Sequence, residues 1–98
     1  MITHVVLFRW KPEMPAGQLE AIGAALNGLP PVIPSIVTYQ HGPDVGASTV
    51  GNWDYAIVAT FADVDGWREY DVHPAHDAAR ADHIRPWVAE RTTTQFQP

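Results

Sequence analysis

The segment from residue 3 to residue 10 constrains the fold most, because it has strand composition and is apolar on both faces. Side chains alternate between the two faces of a strand, so parity assigns each residue to one of them. One face carries His4, Val6 and Phe8, and the other carries Val5, Leu7 and Arg9. A strand that is apolar on both sides needs cover on both sides of its sheet. Any acceptable fold must therefore bury two faces of this strand.

The rest of the chain alternates between helical and strand periodicity, with a turn-rich loop at residues 42–52. The expected elements after the first strand are a helix from Pro15 to Asn27, strands Ile36–His41 and Trp53–Phe61, a helix capped by Asp63 and running to Tyr70, a helix from Pro74 to about Pro86, and a strand Arg91–Phe96. The order is β-α-β-β-α-β, with the second helix broken. It predicts an α+β fold, a ferredoxin-like split βαβ with a four-stranded antiparallel sheet and helices on one face. We expect one domain over residues 1–98.

Such a sheet leaves its second face bare. If His4, Val6 and Phe8 face the helices, Val5 and Leu7 face away from them. A bare apolar face of this size is unusual on a monomer. We therefore expect a homodimer whose sheets pack face to face through a two-fold interface.

The segment Tyr70–His76 contains a Tyr and a His on either side of a proline corner. The residue before a proline avoids the helical region, which places His73 at a corner, and Pro74 suits the first position of a new helix. His76 then lies in the first helical turn, where the helix dipole disfavours imidazolium and favours a neutral base near pH 7. Tyr70 ends the preceding helix and can reach the same cavity. The alternative is that His76 only fills a helix N-terminus while Tyr70 packs as an ordinary apolar aromatic.

Two further residues are candidates for that cavity. His4 shares the strand face assigned to the helices, although a single histidine on such a face is more often a satisfied core residue. Trp87 follows His76 by eleven residues, about three helical turns, which places it on the same side of a regular helix. Trp87 is either the floor of a pocket or a large core residue.

Composition excludes several classes of function. The formal charge is −5 and the six Lys and Arg residues form no basic stripe, so nucleic acid is not an expected partner. Cysteine is absent, which excludes thiol chemistry and suits a reducing cytoplasm. The N-terminal apolar run is too short for a membrane span or a signal peptide. We expect a cytoplasmic protein without a membrane partner.

No metal or cofactor site is expected. His76 and His83 share a helical face but would lie about 10 Å apart by the helical rise, which is too far for one ion. His73, His76 and Asp77 lack a characteristic zinc spacing. Asp44 in the glycine-rich loop is a single carboxylate, which is weak support for a hard cation. Dinucleotide, phosphate-loop and nucleophile-elbow motifs are absent.

The segments at residues 4–8, 41–45 and 70–76, with the strand ending at Phe61, resemble the stress-responsive dimeric α/β-barrel (Dabb) family. The resemblance covers nearly the whole chain. It implies a ferredoxin-like sandwich that pairs through its sheets into a dimeric α+β barrel. Many members of that family have no established activity.

Within this family the chain is similar to polyketide cyclases of the olivetolic acid cyclase type, which close a linear polyketide by aldol condensation. The resemblance implies a catalytic His76 with Tyr70 as its partner and His4 on the first strand. It also implies a pocket lined by Val6, Phe8, Leu26, Ile57 and Trp87. The chain departs from those enzymes on the first helix, where small or aliphatic residues replace aromatic ones, and near the C-terminus. The departing positions are Leu19, Ile22, Gly23, Leu26 and Thr92.

Three functions are consistent with the sequence. In the first, His76 is the general base toward a polyketide-like or other enolisable ligand, Tyr70 donates to the oxyanion, and His4 orients the ligand or moves a proton. In the second, the protein is a non-catalytic, stress-related or ligand-binding homodimer whose histidines are structural. The third is a cofactor-independent monooxygenase, which is supported by fold analogy alone.

Overall fold

The computed structural model describes all residues from 1 to 98 and contains one antiparallel sheet. Its strands are β1 (Ile2–Trp10), β2 (Ile36–Pro43), β3 (Tyr55–Phe61) and β4 (Val88–Phe96). The spatial order is β2-β3-β1-β4, so β1 and β3 are central and β4 is an edge strand. The predicted ferredoxin-like α+β fold is confirmed.

Three α-helices lie on one face of this sheet: α1 (Gln18–Asn27), α2 (Val64–Val72) and α3 (Pro74–Ala79). Helix α1 begins later than Pro15 because Gly17 precedes it with a φ of 88°, a left-handed conformation that glycine adopts without strain. Helix α2 begins as predicted, since the Asp63 carboxylate accepts a hydrogen bond from the Gly66 N–H at 2.8 Å.

The last helical segment is not one regular helix, as the sequence pattern had suggested. After α3 the chain forms a π-helical turn over Arg80–Ile84 and a 3₁₀ turn over Arg85–Trp87, and β4 begins at Val88 rather than at Arg91. The Arg85 N–H bonds to the carbonyl of Arg80, and Pro86 has no N–H with which to continue an α-helical ladder. Because of these two turns, the regular α-helical spacing does not hold between His76 and Trp87, and the two residues need not lie on the same face.

Strand parity places the core between the helices and the sheet, as predicted. His4, Val6 and Phe8 are buried on that side, together with alternate residues of β3. The buried β3 residues are Tyr55, Ile57, Ala59 and Phe61. By contrast, almost every residue of β4 is exposed. The helical layer therefore covers the centre of the sheet and leaves a gap along the β4 edge.

The second face of the sheet carries half-buried aliphatic side chains beside threonines. Val5 and Leu7 are only partly buried, and their partners in register on β4 are Thr94 and Thr92. Phe96, at the end of β4, is 50% exposed. This side of the sheet, defined by Val5, Leu7 and their β4 partners, is called the outer face below. None of the helices is long and apolar enough to cross a membrane.

Candidate functional site

A cavity of about 500 Å³ lies between the sheet and the helices and opens toward β4. It brings together seven of the residues that the sequence singled out: His4, Val6, Phe8, Leu26, Ile57, Tyr70 and His76. The apolar members come from β1, α1 and β3, and the polar ones from β1 and the α2–α3 corner. The structure adds a second group that faces the same space: Trp67, Asp71, Arg80, Ile84, Arg85, Val88, Arg91, Thr93 and Gln95.

The α2–α3 corner sets the position of His76. His73 has extended backbone angles, φ −65° and ψ 135°, and its Nδ1 accepts a hydrogen bond from the Ala75 N–H at 3.0 Å. Pro74 takes the first helical position, as predicted. The corner folds Tyr70 and His76 onto one another, with ring centroids 4.0 Å apart and ring planes inclined by 24°.

The hydrogen bonds of His76 fix its tautomer. Its Nδ1 lies 3.0 Å from the backbone carbonyl oxygen of Tyr70, and a carbonyl can only accept. Nδ1 therefore carries the proton in the neutral ring, and Nε2 presents an unprotonated lone pair. His76 is 8% exposed and lines the cavity, and Nε2 makes no hydrogen bond within the chain. This arrangement suits a proton acceptor.

The pKa of His76 is lowered to about 4, first by burial and then by the positive charge of Arg80. The ring is therefore neutral at pH 7, as the sequence led us to expect. Burial and the nearby Arg80 guanidinium are causes that the sequence analysis did not include. Arg80 is held in place by a hydrogen bond to the Asp71 carbonyl at 3.0 Å and by an ion pair with Asp77.

His4 has the opposite tautomer. Its Nδ1 accepts a hydrogen bond from the Gln95 amide nitrogen at 2.9 Å, so the proton of the neutral ring lies on Nε2. The pKa of His4 is lowered by burial and by the charge of Arg91, which keeps this ring neutral too. His4 thus has a hydrogen-bond donor at Nε2 where His76 has an acceptor. The Tyr70 ring is a neighbour of both, 6.2 Å from His4 by ring centroids.

The Tyr70 hydroxyl is paired with a residue that sequence reasoning missed. Its oxygen lies 2.9 Å from the Tyr39 hydroxyl, which projects from β2. Burial raises the pKa of both phenols, so both stay protonated at neutral pH. When Tyr39 donates to Tyr70, the Tyr70 proton is free to bind a ligand oxygen. Alternation along β2 could have assigned Tyr39 to the helix-facing side of the sheet. The register shift between Ile36 and Thr38 interrupts that alternation.

Trp87 is not among the residues that line this cavity. It lies in the 3₁₀ turn, half-buried, and its carbonyl oxygen accepts a hydrogen bond from the Lys11 N–H at 2.8 Å. The spacing of eleven residues predicts a shared face only for a regular α-helix, and the π turn breaks that regularity. Arg85, which the sequence analysis did not single out, also lines the cavity.

The structure brings no three His, Asp or Glu side chains together as a candidate metal site. The Asp44 carboxylate, considered above for a hard cation, instead closes its own loop. It accepts hydrogen bonds from the Gly46 N–H at 3.1 Å and from the Asn52 amide at 2.9 Å.

The family model described as the stress responsive A/B barrel domain matches residues 2–97. The chain belongs to the Dabb family. No protein with a curated description matches the sequence. Among solved structures, a dimeric ferredoxin-like protein of unknown function from Thermobifida fusca is 41% identical, with a TM-score of 0.90 over 99% of this chain and 90% of that one.

Two structural neighbours with named activities are more distant. The hydroxynitrile lyase of Passiflora edulis is 19% identical, with a TM-score of 0.82 over 97% of this chain and 90% of the enzyme. The cofactor-independent oxygenase SnoaB of Streptomyces nogalater is 16% identical, with a TM-score of 0.75 over 99% of this chain and 91% of the enzyme. At these identities the likeness concerns the fold alone. The comparisons therefore establish the family and leave the activity open.

Proposed function

We propose that this Dabb protein is a homodimeric acid–base enzyme that acts on an enolisable small molecule, in the manner of a polyketide cyclase. The observation that carries the proposal is the His76 ring, which is buried and neutral and directs an unpaired Nε2 into a cavity of about 500 Å³. The His4 N–H and the Tyr70 hydroxyl supply donors beside it. These three side chains supply the proton transfers of an aldol cyclisation without a cofactor.

In the proposed reaction, His76 Nε2 removes a proton from a carbon between two carbonyl groups, and the electron pair moves onto a carbonyl oxygen. The His4 Nε2–H and the Tyr70 hydroxyl donate to that enolate oxygen. The enolate carbon then attacks another carbonyl, farther along the same molecule than the two that flank it, and forms the ring bond. The alkoxide formed there takes the proton back from His76. General acid–base catalysis of this kind typically contributes about 10²–10⁴-fold.

Non-catalytic ligand binding is the second candidate, and one observation favours it. A pKa of about 4 makes His76 a weak base at pH 7, since proton transfer is most efficient when the catalytic pKa lies near the working pH. In this alternative the two histidines only satisfy buried hydrogen bonds while the apolar wall holds a ligand.

A proton-exchange experiment separates the two candidates. Linear β-diketones, which report proton transfer, and longer linear poly-β-ketones, which can also close a ring, are incubated with the protein in D₂O. Loss of the α-proton is followed by ¹H NMR, and ring products of the longer substrates are sought by mass spectrometry. We expect exchange above background that falls at least about 100-fold in His76→Gln, from the usual size of a general-base contribution. His83→Gln is the matched control, because His83 does not line the cavity. Exchange that is equal in wild type and His76→Gln would favour the non-catalytic candidate.

The homodimer is part of the proposal. Val5 and Leu7 are partly buried within a single chain and lie on the outer face, which no helix covers. The Thermobifida fusca relative is described as dimeric. A two-fold partner packed on the outer face would remove this apolar surface from water.

We also propose that the protein is located in the cytoplasm. The lack of cysteine agrees with a reducing compartment.

A further inference from the structure

Half of the basic residues of this acidic chain line the cavity between the sheet and the helices. The sequence has six Lys and Arg residues and a formal charge of −5. Three of those six, Arg80, Arg85 and Arg91, face the cavity, where Asp71 is the only acidic residue. With both cavity histidines neutral, the lining carries an excess of positive charge in a protein that is otherwise negative. The sequence alone showed no basic stripe, because Arg80, Arg85 and Arg91 are separated by five or six residues and share neither a regular helical face nor a strand.

Two of these arginines have no partner within the chain. Arg80 forms ion pairs with Asp71 and Asp77, so its charge is largely compensated. Arg85 and Arg91 form no ion pair and no side-chain hydrogen bond. Outside the cavity, by contrast, Arg9 pairs with Glu90 and Arg68 with Asp65, each at 3.3 Å. The uncompensated guanidinium groups of this chain are therefore those at the cavity.

Their positions divide the cavity into a polar mouth and an apolar interior. Arg91 lies on β4 in register with Phe8 on β1, and Arg85 lies in the 3₁₀ turn that precedes β4. Both are exposed, whereas Val6, Phe8 and Ile57, on the central strands β1 and β3, are at most 5% exposed. The charge of Arg91 also lowers the pKa of His4, which places its positive field inside the cavity.

We propose that the ligand of this cavity is an amphipathic carboxylic acid whose carboxylate binds Arg85 and Arg91 at the mouth. Its apolar body lies against Val6, Phe8 and Ile57. Guanidinium groups bind a planar carboxylate through two parallel hydrogen bonds, and such charge-assisted bonds are among the stronger ones in proteins. None of the residues that line the cavity is a glycine, so no glycine-rich loop of the kind that commonly cradles phosphate faces it, which favours a carboxylate over a phosphate. The inference rests on the cavity of the proposed function and adds the chemical class of its substrate.

The test compares two probes of nearly equal shape and different charge, octanoate and octanamide. Binding is measured by isothermal titration calorimetry at low ionic strength on wild type, Arg85→Gln, Arg91→Gln and the control Arg68→Gln. We expect octanoate to bind wild type at least about 10-fold more tightly than octanamide, and either cavity variant to lose most of that preference. Arg68→Gln should retain it, because Arg68 lies on α2 outside the cavity. The affinity for octanoate should also fall as salt is added.

Equal affinity for the two probes, binding of neither, or a preference that survives both cavity variants would overturn the inference. Circular dichroism checks that the two variants fold, which we expect because Arg85 and Arg91 are exposed. The binding assay needs no turnover, so it is independent of the proton-exchange test. A preference for octanoate without proton exchange on any substrate refutes the proposed enzyme alone. Exchange on neutral β-diketones without that preference refutes the carboxylate alone.

Discussion

Lowering the pH from 7 to 4.5 should destabilise the protein through His76. In the folded chain the pKa of this ring is lowered from 6.5 to about 4, because the ring is buried and close to Arg80. Between those two values the unfolded chain binds a proton that the folded chain does not. The free energy of unfolding therefore decreases as the pH falls through this window, and the stabilisation that comes from the neutral His76 ring is fully present above pH 6.5.

The size of the effect follows from the shift. One pKa unit corresponds to about 1.4 kcal/mol, so a shift from 6.5 to about 4 gives at most about 3 kcal/mol over the whole window. Between pH 7 and pH 4.5 we expect a loss of about 2 kcal/mol from His76. His4 and His41, whose pKa values are also lowered, add losses of the same sign. The pKa of Asp77 is lowered by Arg80, so its contribution is lost only below this window.

The assay is urea unfolding at several pH values between 7 and 4.5, at one protein concentration because the proposed dimer makes stability concentration-dependent. The variant His76→Gln isolates the contribution of His76 to the pH dependence of the unfolding free energy, because the glutamine amide cannot be protonated in this range. The variant should lose about 2 kcal/mol less than wild type on acidification, whatever its stability at pH 7. His83→Gln, altered outside the cavity, should keep the difference. Parallel pH profiles for wild type and His76→Gln would refute a buried, neutral His76.

Two further predictions concern the fold around the site. Tyr39→Phe leaves the buried Tyr70 hydroxyl without its 2.9 Å partner, and Tyr70→Phe does the same to the partly buried Tyr39 hydroxyl. Each variant should cost about 1–2 kcal/mol of unfolding free energy in urea, while the double variant should cost clearly less than the sum. Additive costs would contradict the hydrogen bond. Leu7→Glu places a charge on the outer face and should give monomer or aggregate in sedimentation, whereas Val72→Glu, at a residue 69% exposed on α2, should leave the dimer intact. A stable Leu7→Glu dimer would exclude the outer face as the interface.

Local rules were sufficient for most of the fold. Alternation along β1 correctly assigned His4, Val6 and Phe8 to the core, because one residue of slip would have moved all three to the outer face. The proline corner was readable because Pro74 restricts both itself and His73. Element boundaries were less accurate, since Gly17 delays α1 through a left-handed backbone that composition alone does not specify.

The parts of the site that sequence reasoning missed depend on contacts between distant segments. Gln95 fixes the tautomer of His4 from 91 residues away, and Tyr39 meets Tyr70 across 31. The arginines at the cavity lie close together in sequence, but the pairing of β4 with β1 brings Arg91 beside Phe8 and the π turn reorients the chain between Arg80 and Arg85. The same turn keeps Trp87 out of the cavity. The eleven-residue spacing could not reveal this turn, because that spacing assumes a regular α-helix.

The ligand charge proposed for Arg85 and Arg91 would also affect the pKa of His76, because all three residues line the same cavity. Burial and the charge of Arg80 hold His76 unprotonated, which is the required starting state of a base, but they also make that base weak. A carboxylate bound to Arg85 and Arg91 would bring a negative charge into the same cavity and favour the imidazolium that forms when His76 accepts a proton. A substrate of the proposed class would thus strengthen the base by binding, whereas a neutral ligand of the same shape would leave it weak.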